Sequence, residues 1–458
     1  MIVDGNARRT FHFGQALLPD GWAQQVRIDV TDGIITSVTL GAAPQPRDLR
    51  HAIGVAGMPN LHSHAFQRGM AGLAERRGPG DDSFWTWREI MYRFVDRIDA
   101  DQLRAVAALA YVEMLETGFT RVGEFHYLHH DPAGAVYADP GELSHAIFAA
   151  ASDSGIALTH LPVFYAHAGF GGAGPTAAQR RFVHDIDGFA GLLDAARAGA
   201  AALPDAVVGI APHSLRAVTA DELAQLHPLA GTGPIHIHIA EQVKEVDDCL
   251  AWSGQRPVEW LLDHAAVDGR WCLVHATHMT GAETRALARS GAVAGLCPMT
   301  EANLGDGLFP AADFQAAGGR FGIGSDSNVL IDMTEELRLL EYGQRLFARS
   351  RNVLAAAPGR STGQDLFEAA VRGGAQALGV PSGLAVGHPA DMVSLDADHP
   401  TLADRPVGSL LDGLLFAAGR GAIDRVWRRG EVVVEGGRHV ARDRIAARYR
   451  QALATLVA

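Results

Sequence analysis

Between residues 58 and 380 one pattern recurs eight times: a short apolar run of β character, then a longer stretch rich in alanine and leucine. The first run ends near Asn60-Leu61-His62, and the others cover 120–125, 157–164, 206–211, 235–240, 271–276, 292–297 and 320–324. Helical patterns, such as those at 101–116 and 219–227, fill the intervals. Eight such units over about 320 residues are what a closed (β/α)8 barrel of the TIM type requires. An open doubly wound sheet alternates in the same way, but no G-x-G-x-x-G follows the first or second candidate strand, so the barrel is the expected α/β fold.

The ends of the chain read differently. Residues 26–38 alternate apolar and polar positions about Asp32-Gly33, a hairpin signal. Near the other end, 390–395 is a short strand pattern, and 422–427 and 431–435 flank a turn at Arg429-Gly430. Short strands at both ends predict one small β-sandwich domain assembled from residues 1–57 and 385–458, with the barrel, 58–384, inserted between them.

Composition narrows the chemistry. Lys244 is the only lysine among 39 basic residues. A Schiff base, a pyridoxal phosphate anchor, a P-loop or a carboxylated lysine bridging two metals would have to use it. The net charge of −13 argues against a nucleic-acid partner. It leaves room for a small anion, because a few arginines reverse the local field of a cleft. Cys249, Cys272 and Cys297 are odd in number, far apart and without any C-x-x-C, which points to a reducing, cytoplasmic compartment. Met1-Ile-Val-Asp-Gly lacks the layout of a signal peptide, and no 18-residue apolar run free of charge occurs. Neither secretion nor a membrane partner is expected.

In a barrel of this kind reactive residues belong at the C-terminal ends of the strands. The candidate strands end there in His62-Ser63-His64, in His238 with Glu241 just beyond, in His275, and in Asp326 of Gly324-Ser-Asp-Ser327. His62 and His64 are two apart, so on an extended backbone both imidazoles face the same side, and neutral imidazoles suit Zn2+ or Fe2+. One H-x-H pair carries little by itself, since 21 histidines in 458 positions give about one such pair by chance. Four polar groups at four strand ends carry much more, and they point to a metal site. His236 shares a strand with His238, and at most one of the two is expected to reach the metal. Glu241 lies past a strand tip, placed to reach a metal-bound water and shuttle a proton to a leaving nitrogen; otherwise it is a solvated charge opening the next helix. Asp326 serves metal or water, or caps a turn. His275 is a site residue or a packed core histidine, with His278 as its rival. The fourth candidate strand has no lysine, and Lys244 lies six residues beyond His238, so one metal is expected rather than a lysine-bridged pair.

Pro59-Asn-Leu-His-Ser-His64, His238-x-x-Glu241, His275 and Gly-Ser-Asp326-Ser together resemble the mononuclear deaminase branch of the amidohydrolase superfamily, over nearly the whole chain. Within that branch, His62-Ser-His-Ala-Phe-Gln-Arg68 and Phe84-Trp-Thr-Trp-Arg88 look like the formimidoylglutamate deiminases of histidine degradation. The resemblance implies that His62, His64, His238 and Asp326 bind one Zn2+ per subunit, with Fe2+ sharing these ligands. Glu241 and His275 would form the acid–base pair, with Asp326 also on the attacking water. Gln67 would face the formimidoyl group, and Arg88, Tyr127, His213 and Arg216 would hold the glutamate carboxylates. The implied reaction is hydrolysis of N-formimidoyl-L-glutamate, a small substrate with two carboxylates, to N-formyl-L-glutamate and ammonia. A homodimer is also implied. Arginine's planar fork matches a carboxylate with two hydrogen bonds. Arg88 is expected in the loop after the first strand, and Arg216 closes Pro212-His-Ser-Leu-Arg just beyond the fourth; each would otherwise be an ordinary surface arginine.

Two other readings keep the barrel. Deaminases of purine or pyrimidine bases and triazine hydrolases share the constellation, but they need a flat pocket and have less use for two carboxylate clamps. A non-catalytic barrel scaffold would be expected to lose metal ligands, and all four are present. Zinc deaminases with a P-C-x-x-C signature are excluded, because the chain has no such motif.

Overall fold

The computed structural model describes residues 8–77 and 84–457; the Met1-Ile-Val-Asp-Gly stretch lies outside them. All eight candidate strands form. In chain order they are β1 (Met58–Ser63), β2 (Phe119–His126), β3 (Ala157–Phe164), β4 (Val207–Val208 continued by Ala211–Pro212), β5 (Ile235–Ile239), β6 (Trp271–His275), β7 (Val293–Leu296) and β8 (Arg320–Ile323). Neighbours pair in parallel, β1 through β4 in one set and β5 through β8 in another. Parallel bridges Ile210–Ile235 and Ser214–His238 join β4 to β5, and Ser63–Asp326 joins β8 back to β1, so the ring closes. The sequence predicts one run at 206–211, whereas β4 is interrupted at Gly209. A Cβ there would meet the Pro234 carbonyl oxygen at 2.4 Å, and this close backbone approach breaks the ladder.

Strands from both ends of the chain form one eight-stranded sheet. Arg8–Leu18, Gly21–Thr31, Ile34–Thr39 and Leu49–Ala56 supply one half, and Met392–Leu395, Ile423–Arg428, Glu431–Glu435 and Arg438–His439 the other. Leu49–Ala56 and Met392–Leu395 pair antiparallel and join the halves. The expected hairpin is present, with Thr31 opposite Ile34 around Asp32-Gly33. The edge strand Ile34–Thr39 bonds back to the segment preceding Met392: Ile35 N–H donates to His388 O (2.9 Å) and Gly387 N–H to Ile35 O (2.8 Å). In the sheet order these two strands stand four places apart, so the sheet curls over itself as a two-layered sandwich does. Phe11, Phe13, Val26, Ile28, Met392 and Trp427 fill its core, with the Phe11 and Trp427 rings edge-on at 5.5 Å.

The sandwich and the barrel share buried contacts. Arg428 pairs with Asp391 and with Asp205 of the barrel (3.0 Å), and Asp205 also pairs with Arg121 of β2 (3.1 Å). The final helix, Arg442–Leu456, packs on the barrel helix Ala100–Glu116, where Arg442 meets Glu113 and Glu116. Cys249, Cys272 and Cys297 are free and buried. Among the described residues no helix is long and apolar enough to cross a membrane.

Candidate active site

The seam where β8 meets β1 builds the site. His64 N–H donates to Asp326 O (2.9 Å) and Asp326 N–H to His62 O (3.0 Å), so closing the barrel brings the first and last strand ends together. Asn328 ties the seam: its Nδ2 donates to Ser63 Oγ (3.1 Å), His64 O (3.1 Å) and Asp326 O (3.0 Å), while its Oδ1 accepts from Ser325 Oγ (2.6 Å). Asn60 Nδ2 in turn donates to Ser325 Oγ (2.7 Å). Of the twelve non-glycine residues with positive φ among those described, five (Ala240, His275, Ala276, Asp326 and Asn328) lie at the end of or just past β5, β6 and β8. Left-handed backbone at such residues costs about 1–3 kcal/mol each and persists only where the surroundings hold it. Its concentration at these strand ends marks them as the constrained part of the barrel.

His62, His64, His238 and Asp326 converge. His62 Nε2 lies 3.2 Å from His64 Nε2 and 3.0 Å from His238 Nε2, and Asp326 Oδ1 is 3.5 Å from His62 and 3.3 Å from His64. Ligand atoms of a tetrahedral ion, bound at about 2.0–2.1 Å, stand roughly 3.3 Å apart, so these atoms have the spacing a metal demands. All four side chains are buried and their donor atoms lie within 4.8 Å of one another. Burial depresses the pKa of all three histidines, which keeps them neutral and able to offer a lone pair. The Phe125 carbonyl oxygen sits 3.0 Å from His64 Nδ1, so Nδ1 carries the proton and Nε2 is the free donor atom. Three neutral imidazoles and one carboxylate suit a divalent ion. His236 points elsewhere, its Nε2 donating to Ala377 O (2.7 Å).

Glu241 and His275 flank this cluster. Glu241 is buried rather than solvated, and the helix Val243–Ser253 begins after it. Its Oε1 lies 3.9 Å from His275 Nε2, which is 3.7 Å from Asp326 Oδ2. Burial pushes the Glu241 carboxyl above the usual carboxylate range, against the opposing pull of His275 and Arg216. Burial would lower His275, but Glu241, Glu301 and Asp326 outweigh it and raise its pKa. Burial would likewise raise Asp326, and His62, His275 and His64 instead hold it far below the usual range. His278, the rival candidate, lies beside Gly307, outside the cluster. Lys244 is exposed and pairs with Asp248 at 2.7 Å.

A pocket opens over these groups, lined by His64, His238, Glu241, His275 and Asp326 together with Gln67, Arg88, Tyr127, His213 and Arg216. Every residue expected to contact substrate therefore borders one cavity. Arg88 is a correction in one respect: it stands in a helix, Phe84–Val95, and not in a loop. Phe84, Trp87, Arg88 and Met91 line the pocket, the i, i+3, i+4, i+7 spacing of one helical face. Arg88 and Arg216 are half-buried, and among the described residues neither has a carboxylate within 4.0 Å. Their guanidinium carbons lie 4.6 and 5.9 Å from the Trp85 ring, and Arg216 Nε is buried without a hydrogen-bond partner. Gln67 Nε2 donates to Tyr127 OH (2.9 Å), leaving Gln67 Oε1 buried and unpartnered.

Several site residues carry no sequence signal. Glu245 accepts from Ala240 N–H and Glu241 N–H (3.2 Å each) and so holds the turn bearing Glu241. Glu301 approaches His275 at 3.3 Å. Tyr165 and Phe182 add aromatic wall. Of the missed residues only Trp87 and Met91 were recoverable, from the helical spacing that also carries Arg88.

The profile of the Amidohydrolase family matches residues 53–433, and that of the formimidoylglutamate deiminase HutF N-terminal domain matches residues 8–52. The chain is 52% identical to a formimidoylglutamate deiminase of Pseudomonas aeruginosa, over 97% of this chain and 98% of that protein. It is 28% identical to a 5-methylthioadenosine/S-adenosylhomocysteine deaminase of Natronomonas pharaonis, over 92% and 91% of the two chains. A crystal structure of an amidohydrolase from Brucella melitensis superposes with a TM-score of 0.96 at 57% identity, covering 98% of this chain and all of that one.

Proposed function

This chain belongs to the amidohydrolase family, and we propose that within it the protein hydrolyses N-formimidoyl-L-glutamate to N-formyl-L-glutamate and ammonia, a step of histidine degradation. The observation that carries the substrate is the pair Arg88 and Arg216. Two guanidinium groups border the pocket, and among the described residues no carboxylate pairs with either within 4.0 Å; the two carboxylates of this substrate would do so. A flat neutral base offers neither charge. The 52% identity to a formimidoylglutamate deiminase supports the same reading.

His62, His64, His238 and Asp326 would hold one divalent ion, zinc in this proposal and iron as the alternative. Bound there, such an ion supplies Lewis acidity that brings the ionisation of water toward about pH 7. Gln67 offers its free Oε1 to an N–H of the formimidoyl group, and Arg88, Tyr127, His213 and Arg216 take the carboxylates. Asp326 and His275 orient the water that attacks the amidine carbon. Glu241, whose burial lets it hold a proton nearer neutrality than an exposed carboxylate, carries that proton to the departing nitrogen. The C–N bond breaks, ammonia leaves, and the carbon keeps the water oxygen as a formyl group.

The test is ammonia release from N-formimidoyl-L-glutamate, with and without a chelator, beside a panel of purine and pyrimidine bases. Chelator-sensitive release from formimidoylglutamate alone is expected. Turnover of a base with none of formimidoylglutamate would overturn the proposal, and metal analysis of the active protein decides between zinc and iron.

A further inference from the structure

We propose that Glu301 is the positioning residue of His275, a buried carboxylate that holds the imidazole by Nδ1 and thereby decides which nitrogen faces the reacting groups. The inference rests on the hydrolytic reading above. Glu301 does not line the pocket; it stands in the short helix Pro298–Leu304 that follows β7, and only 4% of it is exposed. Its Oε1 accepts from Cys297 N–H at 2.9 Å and lies 3.3 Å from His275 Nδ1.

Oε1 already acts as an acceptor toward Cys297 N–H, and an oxygen in that role takes its second hydrogen bond from a nitrogen that carries a proton. Nδ1 is thus the N–H end of the ring, and Nε2 is the end turned toward Asp326 Oδ2 and Glu241 Oε1, at 3.7 and 3.9 Å. Both separations exceed a direct hydrogen bond and leave room for a bridging group. The backbone does not do this job alone. His275 and Ala276 have φ of 68° and 46°, consecutive left-handed residues whose conformation needs outside support. Without an anchor on Nδ1, the imidazole could rotate or adopt the other tautomer, and its proton would point the wrong way. In serine hydrolases a carboxylate on the histidine Nδ1 has this tautomer-setting role, and its loss is costly although it never touches substrate. Glu301 is itself pinned, because Cys297 N–H occupies the same oxygen and keeps it aimed at His275.

The experiment compares wild type, Glu301→Leu, Glu301→Gln and Glu301→Asp by metal content, by kcat and KM for ammonia release from N-formimidoyl-L-glutamate, and by the imidazole N–H resonance of His275, assigned through its loss in His275→Asn. Glu301→Leu is expected to lower kcat by about 100-fold or more, the scale of acid–base catalysis, with KM held within about threefold and metal content unchanged. Glu301→Gln keeps an oxygen for both N–H donors and should recover at least about tenfold of that loss. The resonance should be present in wild type and absent in Glu301→Leu. A Glu301→Leu enzyme with wild-type kcat, or a resonance that survives it, overturns the proposal. If the leucine variant fails to fold, Glu301→Asp withdraws the carboxylate by one methylene while keeping its charge. It should lose kcat at constant KM, and unchanged kcat would overturn the inference. Should wild type release no ammonia from formimidoylglutamate while the resonance behaves as stated, the substrate assignment falls and the positioning of His275 stands.

Discussion

The Nε2 atoms of His62 and His238 lie 3.0 Å apart although 176 residues separate the two histidines. Both rings are neutral and buried, and with the proton of each on Nδ1 the two Nε2 atoms would be satisfied by a shared cation. Removing that cation with a chelator is therefore expected to lower the melting temperature as well as abolish ammonia release, since a ligand held at 100 times its Kd stabilises the fold by about 2.7 kcal/mol. Zinc should restore both. The same treatment of His238→Ala should leave its melting temperature unchanged; a chelator-induced shift in that variant would contradict the ligand assignment.

Glu241→Gln preserves the shape of the side chain and removes its capacity to carry a proton. Turnover should fall by about 10²–10⁴-fold while metal content stays at the wild-type level. A fully active variant would exclude Glu241 from proton transfer.

Arg216→Leu should act on binding far more than on stability. Hydrogen bonds to a charged group are worth about 1.5–3 kcal/mol, so kcat/KM for the dicarboxylate should drop by roughly 10- to 100-fold. The free protein meanwhile loses a guanidinium that feels Glu245 and Glu241 but has no carboxylate of the described residues within 4.0 Å, so its melting temperature should change little. A marked fall in melting temperature with unchanged kcat/KM would place the arginine in the scaffold instead.

Asn328 closes the ring between β8 and β1 through three donated hydrogen bonds and one accepted, with a backbone φ of 55° that asparagine tolerates better than most residues. Asn328→Ala takes one hydrogen bond each from Ser63, Ser325 and the His64 and Asp326 carbonyls, at about 0.5–1.5 kcal/mol apiece. Urea titration should register that loss, and the variant should retain metal less well in dialysis. Unchanged stability and retention would show that backbone pairing alone closes the barrel.

Acid should destabilise the fold through buried histidines that are not themselves metal ligands. Burial lowers the pKa of His126 to about 3 and of His184 to about 4, and that of His160 well below its ordinary value. In the unfolded chain each titrates near 6.5. Between the folded and unfolded values the unfolded state binds more protons, so stability falls as pH drops below about 6.5, by about 1.4 kcal/mol per pH unit for each histidine. Urea midpoints measured at about pH 7.5 and 5 should show this decline, and His184→Asn should flatten it. A midpoint independent of pH would refute the assignment.

The strand ends were readable because apolar run, polar tip and turn are consecutive in the chain: His62 and His64 follow Leu61, and Asp326 follows Ile323 within three residues. The hairpin at Asp32-Gly33 was readable for the same reason. Arg88 shows the opposite case. Its neighbours Phe84, Trp87 and Met91 have helical spacing, yet the aromatic cluster resembled a loop, and only packing over the pocket revealed which face the helix buries. Glu245 and Glu301 resemble ordinary helix carboxylates in sequence, and nothing local separates them from solvated ones.

By itself the sequence determined the eight-unit alternation, the strand order around the barrel and the identity of the groups at its mouth, because periodicity and strand-end position are local properties that survive translation into three dimensions. Tertiary structure alone decided the curl that returns Ile35 to His388, the 3.3 Å approach of Glu301 to His275 and the convergence of Arg88 and Arg216 on one pocket. Those are distances between elements that different packing forces bring together, and no pattern within either element encodes them.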